Sequence, residues 1–252
     1  AVLLRTAGSV KTAIVMTSEG FEEKNFWISE LEESIASPSI IAVNTESTPL
    51  SKLQATCHNP ERVIGLNWTE PAHTTHFMEI IANETSNKEL AASLAREAKQ
   101  NWGKDPYIIY DELGVRSKMM AAMTREAFYL VENGFASIED IDRACRNDPG
   151  YYLPFAGNFR YIDLMGGATA YGRVMKDLNP ELSTSAEVPA FFIEASNQKA
   201  LSDNSGGLYE DQDGEGEKRE LAFRKFSYQV QKIIEKYPFN FPEKNIGEKN
   251  EI

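Results

Sequence analysis

The hydrophobic pattern changes character once along the chain. Up to about residue 110, short continuous apolar runs alternate with longer stretches of helical spacing. Thr12–Met16 (TAIVM), Ile40–Val43 (IIAV), Arg62–Leu66, Phe77–Ala82 (FMEIIA) and Tyr107–Tyr110 (YIIY) read as five short strands, most of them buried. Between them, Glu22–Ile35 carries Phe26, Ile28, Leu31 and Ile35 at near-helical intervals. Ser51–Thr56 suggests a short helix, and Lys88–Trp102 a longer one closed by Gly103. Strands separated by helices predict a doubly wound parallel sheet.

After Asp111 the pattern is helical throughout. Ser117–Asn133 places Met120, Met123, Ala127, Leu130 and Val131 on one face and stops at Gly134. Ser137, with Asp140 three residues on, starts a helix that must end before Pro149-Gly150. Further helices are expected over Asn158–Met175, beginning at Glu187–Glu194 with Pro189 near the first turn, and over Lys218–Lys236. Ser202–Gly216 is rich in Gly and Asp and reads as a loop. The chain therefore divides into an α/β part, residues 1–111, an all-helical part, residues 112–238, and a polar tail, residues 239–252. Architectures of this kind often place a ligand between the two parts.

Composition narrows the function. Charged residues are 25 % and apolar residues 42 %, ordinary for a soluble globular chain. The net charge of −12, with no cluster of basic residues and aromatics, argues against nucleic acid as a partner. Cys57 and Cys145 lack metal or redox spacing and read as reduced thiols of a cytoplasmic protein. No apolar run approaches the roughly 20 residues that cross a bilayer, and AVLLRTAGSVK does not read as a signal peptide. The first residue is not Met, as expected of a cropped or processed chain.

Several segments, in order from about Thr12 to Pro238, resemble the 3-hydroxyacyl-CoA dehydrogenase family. Met16-Thr-Ser-Glu19 precedes Lys24, where the family has a strand, a Glu and a Lys five residues on. Val43-Asn44-Thr45-Glu46-Ser47 follows its Asn-Thr-Ser-Ser, and Gly65-Leu66-Asn67-Trp68-Thr69-Glu70-Pro71 follows its Gly-Leu-His-Phe-Phe-Asn-Pro. Met78-Glu79-Ile80 stands for its Val-Glu-Val strand, and Glu126–Asp142 resembles its dimer-domain stretch. The resemblance implies a partial Rossmann-like domain, then a helical dimerisation domain. It also implies NAD as cofactor, an acyl-CoA or small 3-hydroxy acid as substrate, a place in fatty-acid metabolism, and a homodimer. By the same resemblance Glu79, Asn67 and Ser117 occupy catalytic positions. Glu19, Lys24, Asn44, Glu46 and Glu70 occupy positions near the cofactor.

The departures bear on chemistry. The family's reaction pairs a buried Glu with a His that takes the hydroxyl proton, but position 67 is Asn, and an amide cannot take that proton at neutral pH. Loss of such a base costs a factor of about 10²–10⁴. Glu46 and Glu70 add carboxylates where the family has a Ser and an Asn, which would repel a CoA phosphate. Asp203 falls near a position that is commonly basic. No stretch has the GxGxxG spacing that lets a pyrophosphate approach a helix N-terminus. His73 and His76 form an HxxH pair after Pro71, but with no third ligand nearby a metal is not expected; a polar loop at the domain cleft is the leading reading, ahead of a stand-in base. Two functions follow: a dehydrogenase, or a catalytically degenerate homologue that binds a ligand or partner.

Overall fold

The computed structural model describes residues 10–18, 20–201, 208 and 215–237. Two compact units divide the chain, Ala1–Ala121 and Ala122–Ile252. Glu19, Asp203 and the polar tail lie outside the described residues, as does most of the expected loop at 202–216.

The first unit is a five-stranded sheet in the order β1 (Thr12–Val15), β2 (Ile40–Val43), β3 (Val63–Asn67), β4 (Phe77–Ala82), β5 (Asp105–Tyr110). Pairing is parallel except between β3 and β4, which run antiparallel. The sheet is parallel-dominated, as expected, with one antiparallel pair. The segment joining β3 to β4 holds no helix, and a parallel crossover needs a dozen or more residues.

Helices α1 (Phe21–Ser34) and α2 (Leu50–Gln54) cover one face, and α3 (Lys88–Asn101) covers the other. Side-chain alternation sends Ala42, Ile64, Leu66, Met78 and Ile80 toward α3, and Val43, Val63 and Ile81 toward α1 and α2. Strands β2 and β3 are buried on both faces, which is why their sequences show no alternation. Helix α3 starts on Asn87, whose side chain accepts from the N–H groups of Glu89 and Leu90. Arg62 lies fully buried in the short 3-10 turn Pro60–Arg62 before β3 and donates to the Glu32 and Ile35 carbonyls at the end of α1. Lys and Arg at a helix C-terminus favour the dipole.

Helix α4 (Val115–Glu132) crosses the division between the units. Beyond it come α5 (Ile138–Asn147), α6 (Pro149–Leu164), α7 (Gly167–Leu178), α8 (Ala190–Leu201) and α9 (Glu215–Lys236). Ser137 caps α5 as expected, accepting from Asp140 N at 3.1 Å. The single helix expected over 158–175 is instead two. A sharp bend at Gly157 interrupts α6, and Gly166 and Gly167, at φ 104° and 79°, separate α6 from α7. Helix α8 begins after Pro189, whose carbonyl accepts from Phe192 and Ile193. Phe128 of α4 meets Phe191 and Phe192 of α8 at ring separations of 5.8 and 4.8 Å. Among the described residues no helix is long and apolar enough to cross a membrane.

Candidate functional site

Four polar side chains form a row across the first unit, one from each of four neighbouring strands or strand ends. Thr45 follows β2, Asn67 ends β3, Glu79 lies in β4 and Tyr107 in β5. Strand register sets the row: Asn67 pairs with Glu79, and Glu79 with Tyr107. Thr45 N donates to Asn67 Oδ1 at 2.9 Å, Asn67 Nδ2 reaches Glu79 Oε2 at 3.5 Å, and Tyr107 OH donates to Glu79 Oε1 at 2.9 Å. The alternation that sends Ile81 toward α1 and α2 sends Glu79 to the same face.

The row is roofed by the start of α4. After β5 the chain is held on this face by Glu112, whose carbonyl accepts from Leu50 N and whose carboxylate accepts from Ser51 N. Gly114 then passes directly over the carboxylate: a Cβ there would lie 1.8 Å from Glu79 Oε2 and 3.3 Å from Asn67 Nδ2. Only glycine permits that approach. Val115 N and Arg116 N, the first donors of α4, reach Glu79 Oε1 at 2.8 and 3.3 Å. A buried carboxylate thus receives the unsatisfied N–H groups and positive end of a helix, which answers the cost of burying its charge.

These contacts fix what each member can do. Asn67 is committed at both ends, its carbonyl to Thr45 N and its amide toward Glu79, so its orientation is set by its partners. Glu79 is fully buried, which settles the choice between a solvent-facing and an inward carboxylate. Burial pushes the Tyr107 phenol well above its usual range, helped by its hydrogen bond to Glu79 and by that residue's charge, while Arg116 opposes. Thr45 is fully buried and its hydroxyl has no hydrogen-bond partner.

The other expected positions spread around this row. Asn44 clasps the turn after β1, accepting from Thr17 N at 3.2 Å and donating to Thr17 O at 3.0 Å. Lys24, fully buried in α1, donates to Thr17 Oγ1 at 3.2 Å. Glu46 pairs with Arg116 at 3.2 Å. Glu70 accepts from Ala72 N at 3.2 Å, with Lys104 close enough to feel its charge. Both added carboxylates therefore have a cation at hand, which weakens the expected repulsion of phosphate. Ser117 is half-buried in the first turn of α4. His73 is exposed, and His76 is held against the Gly103 carbonyl at 3.2 Å, so neither joins the row.

Sequence reading missed Tyr107, Gly114 and Arg116. Tyr107 is spelled as one more aromatic strand residue, and its meeting with Glu79 depends on strand register. Gly114, lying between a strand and a helix, was the available signal for a close approach.

Residues 4–112 match the model of the "3-hydroxyacyl-CoA dehydrogenase, NAD binding domain" and residues 115–210 that of the "3-hydroxyacyl-CoA dehydrogenase, C-terminal domain". The cofactor of the first domain is NAD. The chain is 30 % identical over 174 residues to 5-formyl-3-hydroxy-2-methylpyridine 4-carboxylate 5-dehydrogenase of Mesorhizobium japonicum, covering 68 % of this chain and 56 % of that protein. It is 27 % identical over 157 residues to L-carnitine dehydrogenase of Bacillus cereus, covering 62 % and 48 % respectively. It therefore spans about half the length of these relatives. A crystal structure of the first enzyme's namesake, an NAD+-dependent dismutase, superposes with a TM-score of 0.83 at 25 % identity, over 90 % of this chain and 74 % of that one. A 3-hydroxyacyl-CoA dehydrogenase from Archaeoglobus fulgidus shares the fold, with a TM-score of 0.62 at 17 % identity over 92 % of this chain and 79 % of that one. With both domain models matched in sequence and the same fold observed, the chain belongs to the 3-hydroxyacyl-CoA dehydrogenase family.

Proposed function

We propose that this chain carries the reacting end of an NAD-dependent dehydrogenase acting on a small 3-hydroxy acid or its CoA thioester. The observation that supports this reading is Glu79, kept at the family's carboxylate position, sealed from water and fixed by the first N–H groups of α4. An oriented buried carboxylate beside a hydrogen-bonding side chain is the arrangement a proton-transfer site requires. Two relatives are named for L-carnitine and a pyridine carboxylate, which supports a free acid as readily as a thioester.

The described residues fit the cofactor in part. Thr17, Asn44 and Lys24 cluster at the C-terminal ends of β1 and β2, where open sheets bind ligands, and they suit the nicotinamide ribose. No GxGxxG cradle for the pyrophosphate is present among the described residues. NAD, when bound, supplies the hydride acceptor. The chain's own part is to hold Glu79 oriented through the start of α4, with Asn67 beside it.

A second reading has its own observation. Asn67 spends both ends of its amide on Thr45 and Glu79, leaving no base at the family's His position. That favours a catalytically degenerate homologue which binds a ligand or a partner. Reduction of acetoacetyl-CoA, and separately of free acetoacetate, followed by loss of NADH absorbance decides between them. Turnover with saturable NADH binding supports the dehydrogenase; NADH binding without turnover supports the degenerate homologue; neither retires the NAD reading.

A homodimer through the helical unit and a cytoplasmic location accompany this proposal. Met119 and Met123 of α4 are 56 % and 47 % exposed, and Cys57 and Cys145 are free thiols. Met123→Glu should turn a dimer into monomer in sedimentation; an unchanged dimer would place the interface elsewhere.

A further inference from the structure

Glu79 is 0 % exposed and Asn67 3 %, with Gly114 closed over both. A substrate therefore reaches neither directly, and a proton bound for the carboxylate must come through one of its neighbours. Among the described residues four groups donate to Glu79: Val115 N, Arg116 N, Asn67 Nδ2 and Tyr107 OH. Three are amide nitrogens, which keep their protons in water at any ordinary pH. The fourth is a phenol, and Tyr107 is 39 % exposed. It is the member of the row that both touches the carboxylate and meets the outside.

We propose that Tyr107 is the proton-handling residue of this site, passing the hydroxyl proton of a bound 3-hydroxy acid or thioester to Glu79. It takes the part that an imidazole at position 67 would have played. The substrate O–H bond breaks and its proton joins Tyr107 Oη, while the phenol's own proton moves to Glu79 Oε1, 2.9 Å away. The electrons left on the substrate oxygen would close the C=O bond as the C–H pair passed to bound NAD, which would supply the hydride acceptor. Carbon would thereby be oxidised, and Glu79 would hold the proton. Reduction of a ketone runs the same path backwards.

The surroundings suit a relay over a stored phenolate. Glu79 faces the phenol with negative charge and Arg116 with positive charge, and Phe77 lies edge-on to the ring at 6.1 Å. Burial, then Glu79, hold the proton on Tyr107 through the neutral range, so the phenol conducts a proton without carrying charge of its own. Asn67 cannot share the task, because an amide has no proton to exchange on this timescale.

This inference rests on the dehydrogenase reading, and the experiment separates the two. NADH-dependent reduction of acetoacetyl-CoA and acetoacetate is measured for the wild type, Tyr107→Phe, Asn67→His and the double variant, with thermal melts to confirm folding. Tyr107→Phe should lower kcat about 10²–10⁴-fold with little change in KM for NADH. Asn67→His in the Tyr107→Phe background should restore part of the loss. Wild-type activity that survives intact in Tyr107→Phe overturns the relay and leaves the dehydrogenase standing. Absence of wild-type turnover overturns both. A second readout needs no cofactor: the phenolate absorbance lost in Tyr107→Phe should ionise at lower pH once Glu79→Gln removes the facing charge. No movement on that substitution means the pair is not formed in solution, and the relay falls.

Discussion

The sheet unit and the helical unit handle their apolar residues in opposite ways. In the sheet unit two buried clusters, one on each face, hold nearly all of the buried hydrophobic residues among those described. Past residue 121, Ala156 is the single buried hydrophobic of that set, joined by Ser183, Pro189 and Ser227 as buried positions. Tyr151, Phe159, Leu164, Phe226 and Ile233 are all exposed. The described helical residues leave most of their large apolar side chains exposed, where the sheet unit encloses its own.

The sharpest way to break that contrast is a matched pair of truncations. Ile80 is fully buried between β3, β5 and α3, so Ile80→Ala should cost about 2–5 kcal/mol of unfolding free energy. Ile233 in α9 is 55 % exposed, and Ile233→Ala should cost under about 0.5 kcal/mol in a monomer. Urea unfolding followed by circular dichroism measures both. If Ile233→Ala costs as much as Ile80→Ala at high protein concentration and little on dilution, a second copy supplies the missing burial.

Gly114→Ala tests the point where the sheet unit grips α4. A Cβ 1.8 Å from Glu79 Oε2 requires either the carboxylate or the helix start to move. Overpacking of this kind costs about 1–3 kcal/mol, and here it also opens the route to Glu79. The variant should melt earlier and admit solvent to the site, seen as faster hydrogen exchange at Val115 and Arg116. A Gly114→Ala protein with wild-type melting and exchange would mean that α4 does not seat on the carboxylate.

Much of this was legible in the sequence, for physical reasons that differ between the units. Strand β2 could be placed to the residue because a buried parallel strand is a continuous apolar run bounded by polar turns, and β4 from its apolar run around the single charge of Glu79. Glu79 and Asn67 stood out because a motif carried them, yet nothing in the spacing said that the carboxylate would be roofed by Gly114 and shared with Tyr107. That arrangement comes from strand register and from the return of the chain over the α1 face, both long-range choices. In the helical unit the period was right but boundaries failed, α6 starting at Pro149 rather than at Asn158. Gly166 and Gly167 sit inside a convincing helical pattern and break it, because both adopt φ angles that only glycine accepts cheaply. Exposure there was the least legible property, since an apolar helical stripe reads the same whether its cover is its own chain or another.

The smallest expected effect sharpens the contrast from the side of charge. Arg116–Glu46 in the sheet unit and Arg224–Glu220 in the helical unit are both surface pairs, at 3.2 and 2.5 Å, with side chains between 33 % and 62 % exposed. If burial is what separates the units, neither pair should matter much to stability. Glu46→Gln and Glu220→Gln should each change the unfolding free energy by less than about 1 kcal/mol, with the already small difference fading as salt is raised. The two substitutions should also be indistinguishable from each other in thermal melts. A loss in Glu46→Gln several times that in Glu220→Gln would show that the ion pair helps seat α4 on Glu79. The grip of the sheet unit on that helix would then rest on Arg116 as well as on the buried carboxylate.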